Sequence, residues 1–74
     1  MKQYKKQVGK YNVFKRIATS DTDIYCWAGK SELYFVEDGI TFDVLFSSHN
    51  YKYIKNYMKE YLGLSMAKGR WANG

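Results

Sequence analysis

Apolar and polar positions change their period several times along the chain. Tyr4, Val8 and Tyr11 stand four and three residues apart. That spacing predicts a short helix ending near Gly9, with an extended basic arm over residues 1–10 as the alternative. From Tyr11 to Ile17 the residues alternate loosely and are rich in β-formers, which predicts a strand. Thr19-Ser20-Asp21-Thr22 reads as a turn, Asp23–Ala28 as a second strand, Gly29-Lys30 as a short turn and Glu32–Glu37 as a third strand. Asp38-Gly39 is a hairpin dipeptide, because a type I′ turn needs positive φ at both central residues. Ile40–Phe46 then alternates as a fourth strand. Ser47-Ser48 offers a helix N-cap. Tyr51, Ile54, Tyr57, Met58, Tyr61 and Leu62 recur at the helical period and predict a helix from about Ser48 to Leu62, with Gly63 just past its end. Residues 64–74 have no period and read as a tail. The fold class is α+β: a small four-stranded antiparallel meander with a C-terminal helix packed on one face, forming a single domain over 1–74.

Two-residue turns fix register, and the period of two then fixes faces. Pairing across Asp38-Gly39 sets Phe35 opposite Phe42 and Leu33 opposite Val44, with Tyr34 opposite Asp43 on the other side. Pairing across Gly29-Lys30 adds Cys26 and Ile24 to the first face, and Trp27 and Tyr25 to the second. The first face is apolar (Ile24, Cys26, Leu33, Phe35, Ile40, Phe42, Val44 and Phe46) and calls for the helix as its cover. The second carries Tyr25, Trp27 and Tyr34 with Glu32, Thr41 and Asp43. Phe14 and Arg16 join it if Val13 and Ile17 point to the core.

Charge is distributed in blocks. Residues 1–20 carry Lys2, Lys5, Lys6, Lys10, Lys15 and Arg16 and no acid. Residues 21–43 hold Lys30 against Asp21, Asp23, Glu32, Glu37, Asp38 and Asp43. Residues 44–74 are basic again, with Lys52, Lys55, Lys59, Lys68 and Arg70 against Glu60, and the whole chain is formally +5. Such blocks point to a polyanionic partner, or to segments that neutralise one another across a sheet. The meander sends Asp21, Asp23, Glu37 and Asp38 to one end. It sends Lys10 and Lys30 to the other, beside the helix N-terminus, where free N–H groups favour anions.

Composition narrows the function classes. The chain has 74 residues, 46% of them apolar and 19% aromatic, which excludes a disordered polar segment. A core of this size is marginal, and large aromatic side chains help to build it. Cys26 is the one cysteine and His49 the one histidine, too few for a structural zinc site, so no metal or cofactor is expected. The lone cysteine suggests a reducing compartment. The first ten residues lack the apolar core of a signal peptide, and no apolar run reaches membrane-spanning length. The expectation is a cytoplasmic protein without a membrane partner. Its small, basic, proline-free, tyrosine-rich composition suggests a phage or mobile-element origin.

No catalytic constellation stands out. Asp43, Ser47, Ser48 and His49 are adjacent in sequence, which is not triad geometry, so a non-enzymatic binding module is expected. Its partner would be nucleic acid, with single-stranded or structured RNA favoured. Phe14, Arg16, Tyr25, Trp27 and Tyr34 would form a stacking platform, and Lys10, Lys30, Lys52, Lys55 and Lys59 would meet the backbone. A small protein-binding inhibitor that occupies a host enzyme or a nucleic-acid-binding complex through the same aromatic face is the alternative. A homodimer through the second sheet face is a third reading. The helix–strands–helix order resembles a double-stranded-RNA-binding domain in outline and length only. Ser48-His49-Asn50-Tyr51-Lys52 lacks that family's basic cluster, no GxxG loop occurs, and Ser31–Val36 lacks the glycines of an RNA-recognition motif.

Overall fold

Val13 and Val36 face each other across two central strands, and neither is exposed at all. The computed structural model that shows this pair describes residues 1–67 and 69–73. Lys68 of the last basic block and Gly74 at the end of the tail lie outside them. Among the described residues the chain forms β1 (Lys2–Val8), β2 (Tyr11–Ile17), α1 (Asp21–Cys26), β3 (Glu32–Asp38), β4 (Val44–Ser48), α2 (Tyr51–Leu62) and β5 (Ala72–Asn73). The antiparallel sheet has the order β4-β3-β2-β1-β5. The class is α+β as expected, but five strands stand where four were expected, and two of the expected elements change type.

The first change is at the N-terminus. Residues 2–8 are a strand, neither helix nor arm, because Tyr4, Lys6 and Val8 alternate onto the inner face. Lys6 hides this period by placing a cation in an apolar slot. It is only 5% exposed. Its ammonium donates to the Met66 carbonyl and lies 5.8 Å from the centre of the Trp71 ring. A two-residue loop, Gly9-Lys10, returns the chain into β2, and Gly9 supplies its left-handed residue with φ +59°.

The second change is at residues 21–28, where a helix replaces the expected strand. Ser20 is the N-cap: its Oγ accepts the Asp23 N–H at 3.2 Å, while the Asp23 carboxylate accepts the Thr19 N–H at 3.2 Å. This reciprocal capping starts a helix. Asp21 and Asp23 lie in its first turn, favoured by the helix dipole. Left-handed Ala28 and Gly29 end the excursion. The Ala18 N–H donates to the Ser31 carbonyl and closes its base. Cys26, expected in the core, is therefore exposed.

The third change inverts the faces. Gly39 does not take positive φ. It is required because any Cβ there would sit 2.4 Å from the Lys10 carbonyl oxygen, to which its own N–H donates. The hairpin loop therefore runs over residues 39–43, held by Asp38 Oδ1, which accepts the N–H groups of Ile40 and Thr41. Phe35 pairs with Ser47 rather than with Phe42, and Leu45 bulges between Val36–Phe46 and Glu37–Val44. The slip is odd in number, so β3 turns over relative to the expected pairing. Tyr34 and Val36 face the core, and Leu33 and Phe35 face away. Of the expected first face, Phe46 alone packs against the core; Ile40, Phe42 and Val44 are exposed.

α2 covers β3 and β4. Its N-cap is Asn50, not Ser47 or Ser48, with Asn50 Oδ1 accepting the Lys52 N–H at 3.0 Å. Gly63 ends the helix in the left-handed conformation expected of it, φ +66°. Ile54 and Met58 are fully buried against Val13 and Val36. Beyond the helix, Leu64, Met66 and Trp71 complete the cluster, and β5 pairs with Tyr4 and Lys5 of β1. The expected tail is thus part of the fold. Ile54→Ala is expected to destabilise the protein by about 2–5 kcal/mol. Leu33→Ala, on the far side of the sheet, should cost about 1 kcal/mol or less. Urea unfolding of the two variants measures the difference, and the opposite ranking would restore the face assignment read from the sequence.

Candidate nucleic-acid interface

The face of the sheet turned away from α2 has no covering element among the described residues. At its centre Phe14 of β2 and Phe35 of β3 are cross-strand partners, with ring centres 4.8 Å apart and planes 17° from parallel. The Arg16 guanidinium carbon lies 4.7 Å from the centre of the Phe35 ring. Arg16 Nε donates to Gln3 Oε1 at 2.7 Å, which holds the guanidinium over the aromatic pair. An open groove of about 480 Å³ runs across this face, lined by the two rings with Leu33, Val44, Glu37 and Ser47. A second depression of about 360 Å³ continues it toward the 39–43 loop, between Lys5, Gln7, Lys10 and Asn12 on one side and Ile40 and Phe42 on the other.

Phe42 stands out within that loop. Its φ is +64°, in the left-handed region where a bulky side chain is strained, yet its ring is 66% exposed. The Phe42 N–H donates to the Asp38 carbonyl at 2.9 Å, which holds the residue in place. The Asp38 carboxyl is kept below its usual pKa by the Thr41 and Ile40 N–H groups, with Lys10 adding a smaller effect. The loop is therefore built to hold its shape while its apolar side chains stay in solvent.

The expected site residues divide into several groups. Phe14 and Arg16 lie on the open face as expected. Tyr34 does not: it is buried on the opposite side, packed on Tyr51 at 5.2 Å. Tyr25 is 86% exposed on α1, which projects past the end of the sheet. Trp27 is half-buried at that same end, 6.5 Å from His49. The capping of α1 removed both from any sheet face. Lys52, Lys55 and Lys59 are exposed on α2, across the sheet from Phe14. Lys55 and Lys59 line a separate groove of about 710 Å³ between α2 and residues 63–67. Lys10 and Lys30 do not share an end. Lys10 sits beside Asp38 at one end, and Lys30 follows α1 at the other, with Asp21 and Asp23. The basic and acidic ends expected from the meander do not form.

Cross-neutralisation does not form either. Among the described residues the one ion pair within 4.0 Å joins the N-terminal ammonium to Asp23. No lysine or arginine among them is paired with a carboxylate at that distance. Several lysines instead lie over aromatic rings: Lys15 over Tyr4 and Trp71, Lys10 over Tyr11 and Lys55 over Tyr51.

Phe35 and Lys5 belong to the open face and were not foreseen there. The available signal was Gly9-Lys10, a two-residue hairpin loop between alternating segments, which ties the parity of β1 to that of β2. Comparison of the chain with protein families, characterised proteins and solved structures finds no match.

Tyr34 has a consequence for stability. Burial, and then its hydrogen bond to Glu32 Oε2 at 2.5 Å, push the phenol pKa up. An unfolded tyrosine ionises near pH 10, so above that pH the unfolded chain holds fewer protons than the folded one. The stabilising contribution is complete below about pH 10 and is lost as the pH rises through the folded value. Stability from urea unfolding should fall as the pH rises above about 10, and Tyr34→Phe should make that fall shallower. Tyr51, whose pKa burial also raises, would retain part of the slope.

Proposed function

We propose that the chain is a nucleic-acid-binding module that takes a single strand, RNA in the first instance, across the open face of its sheet. The observation that carries this reading is the uncovered Phe14–Phe35 pair on the two central strands, bordered by cations that have no acid partner. Unpaired bases would stack on the exposed Phe42 ring and against the Phe14–Phe35–Arg16 stack. Lys5, Lys10 and Arg16 would meet phosphates, and the side-chain amides of Gln3 and Gln7 would bond base edges. Glu37 is the one acid lining the groove and opposes phosphate there. Asn12 Nδ2 donates to it at 3.5 Å. The lysines of α2 lie across the sheet and belong to a different surface.

Filter binding or fluorescence anisotropy with single-stranded RNA, single-stranded DNA and duplex RNA at low salt tests the reading. Phe35→Ala should weaken single-strand binding by about 1–3 kcal/mol, roughly 5- to 150-fold. Lys5→Gln should reduce the slope of log K against log salt by about 0.7. Tyr25→Ala and Trp27→Ala, off this face, should leave affinity unchanged. No affinity for any nucleic acid at low salt would sink the reading.

Phe42→Gly separates binding from folding. A left-handed backbone costs a bulky residue about 1–2 kcal/mol, while glycine costs about 0.5–1 kcal/mol in chain entropy. The variant should therefore unfold at the same or a slightly higher temperature while binding RNA more weakly. A clear loss of Tm would show that the Phe42 ring supports the fold.

A protein contact on the same face, as an inhibitor would make, is the second reading. What favours it is Ile40, 76% exposed beside Phe42. Its test is retention of one defined protein by the immobilised chain after nuclease treatment, lost in an Ile40→Lys variant that still binds RNA.

A further inference from the structure

A different group of exposed apolar side chains lies at the β4 edge of the sheet. β4 is hydrogen-bonded to β3 on one side only. Alternate N–H and C=O groups of Val44–Ser48 therefore point out of the sheet. Edge strands usually block further pairing with lysine, proline or a bulge; Val-Leu-Phe-Ser-Ser has neither lysine nor proline, and its bulge at Leu45 leaves Phe46–Ser48 in regular register with β3. The opposite edge is protected. β1 carries Lys2, Lys5 and Lys6, and β5 covers part of it.

The helix above continues the same pattern. Tyr53, Tyr57 and Tyr61 follow one another at four-residue spacing along the flank of α2 that lies over β4. Tyr57 stacks on Phe46 with ring centres 4.7 Å apart and planes 3° from parallel, and Tyr61 lies 5.2 Å from Tyr57. Val44, Leu45, Tyr53 and Tyr61 are 60%, 40%, 55% and 78% exposed. Lys52, Lys55 and Lys59 occupy the other flank of the helix, and Glu60 borders the tyrosine flank on its solvent side. Sheet and helix thus both leave an aromatic-rich, lysine-free border on one side of the molecule.

We propose that a second copy of this chain occupies this border, with β4 pairing antiparallel to its twin about a two-fold axis and the two tyrosine flanks meeting above it. Charge selects a copy as the occupant. Two chains of formal charge +5 repel wherever their lysine-bearing surfaces meet, and this border carries no lysine or arginine. Antiparallel pairing also sets Asp43 of one copy near the Ser48–His49 end of the other rather than against its own counterpart. A two-fold contact joins the same patch on both copies, and a short, uncharged strand with free backbone groups meets that requirement.

Sedimentation velocity of the full chain over a wide concentration range tests this. The expected mass moves from monomer to dimer as concentration rises, with slowed hydrogen exchange at β4 amides in the dimer. Val44→Lys alters an exposed position and puts a cation into the edge strand of both copies, so it should weaken dimerisation at least tenfold while the circular dichroism stays native. Tyr61→Lys should act in the same direction from the helix layer. Phe35→Arg, on the open face, should leave the dimer intact. A monomer at every concentration overturns the proposal. So does a dimer that survives Val44→Lys and Tyr61→Lys, one that Phe35→Arg abolishes, or a mass increase traced to a different protein. RNA affinity is measured separately on the same variants, so failure of the dimer and failure of RNA binding are distinguishable.

Discussion

The pairing of Val13 with Val36 is the constraint on which the other assignments depend. Both side chains are fully enclosed, and Ile54 and Met58 of α2 pack on the same cluster. Burying apolar side chains of this size contributes about 1.5–3 kcal/mol each, so shifting either strand by one residue would forfeit the core. Side chains on a strand without a bulge alternate between faces, and β2 and β3 pair in unbroken register. Once these valines point inward, Phe14 and Phe35 must point outward together. The aromatic pair on the open face follows from the core, and so does the arginine two residues along from Phe14.

Elements with a strong local signal were legible in the sequence. β2 and β3 match their expected ranges closely, and α2 was marked by its period and by Gly63 at its end. Phe14 and Arg16 were placed on the correct face, because that step used only the parity of Val13. The errors came from two turns. Asp38-Gly39 signals a tight reversal, but Gly39 serves close approach to the Lys10 carbonyl, and the reversal spans five residues. An odd slip then exchanged Tyr34 with Phe35, so the platform named a buried tyrosine and missed an open phenylalanine. Ser20 and Asp23 carry a capping signal inside a stretch that patterns as a turn and a strand, so Tyr25 lies on a helix and Trp27 at its end, where a strand is expected.

The unpaired lysines have a physical meaning that composition alone could not supply. A +5 chain could neutralise itself in the fold, and the sheet brings basic β2 beside acidic β3, with basic β1 next in order. The register prevents it. Lys15 stands opposite Tyr34, and Arg16 opposite Leu33. The acids are engaged elsewhere: Asp38 holds its own loop, Asp23 caps α1 and pairs with the N-terminus, and Glu32 accepts from Tyr34. The positive field of the chain is left directed at solvent, where it would attract polyanions and oppose contact between lysine-bearing surfaces of two copies.

Two residues break the usual rules of a folded chain, with different returns. Lys6 buries a cation, but its ammonium has the Met66 carbonyl and the Trp71 ring. That contact holds Met66 and Trp71 beside β1, next to where β5 pairs, so the desolvation is offset within the fold. Phe42 strains its backbone and leaves its ring in water, and no aromatic or core contact among the described residues offsets the strain. The surrounding hydrogen bonds enforce this conformation instead of relieving it. Strain of this kind persists where the exposed group has a use outside the isolated fold. Phe42 sits at the end of the open face, beside Lys5 and Lys10. The backbone thus points to the same surface as the aromatic pair does, by an observation independent of aromatic content and charge.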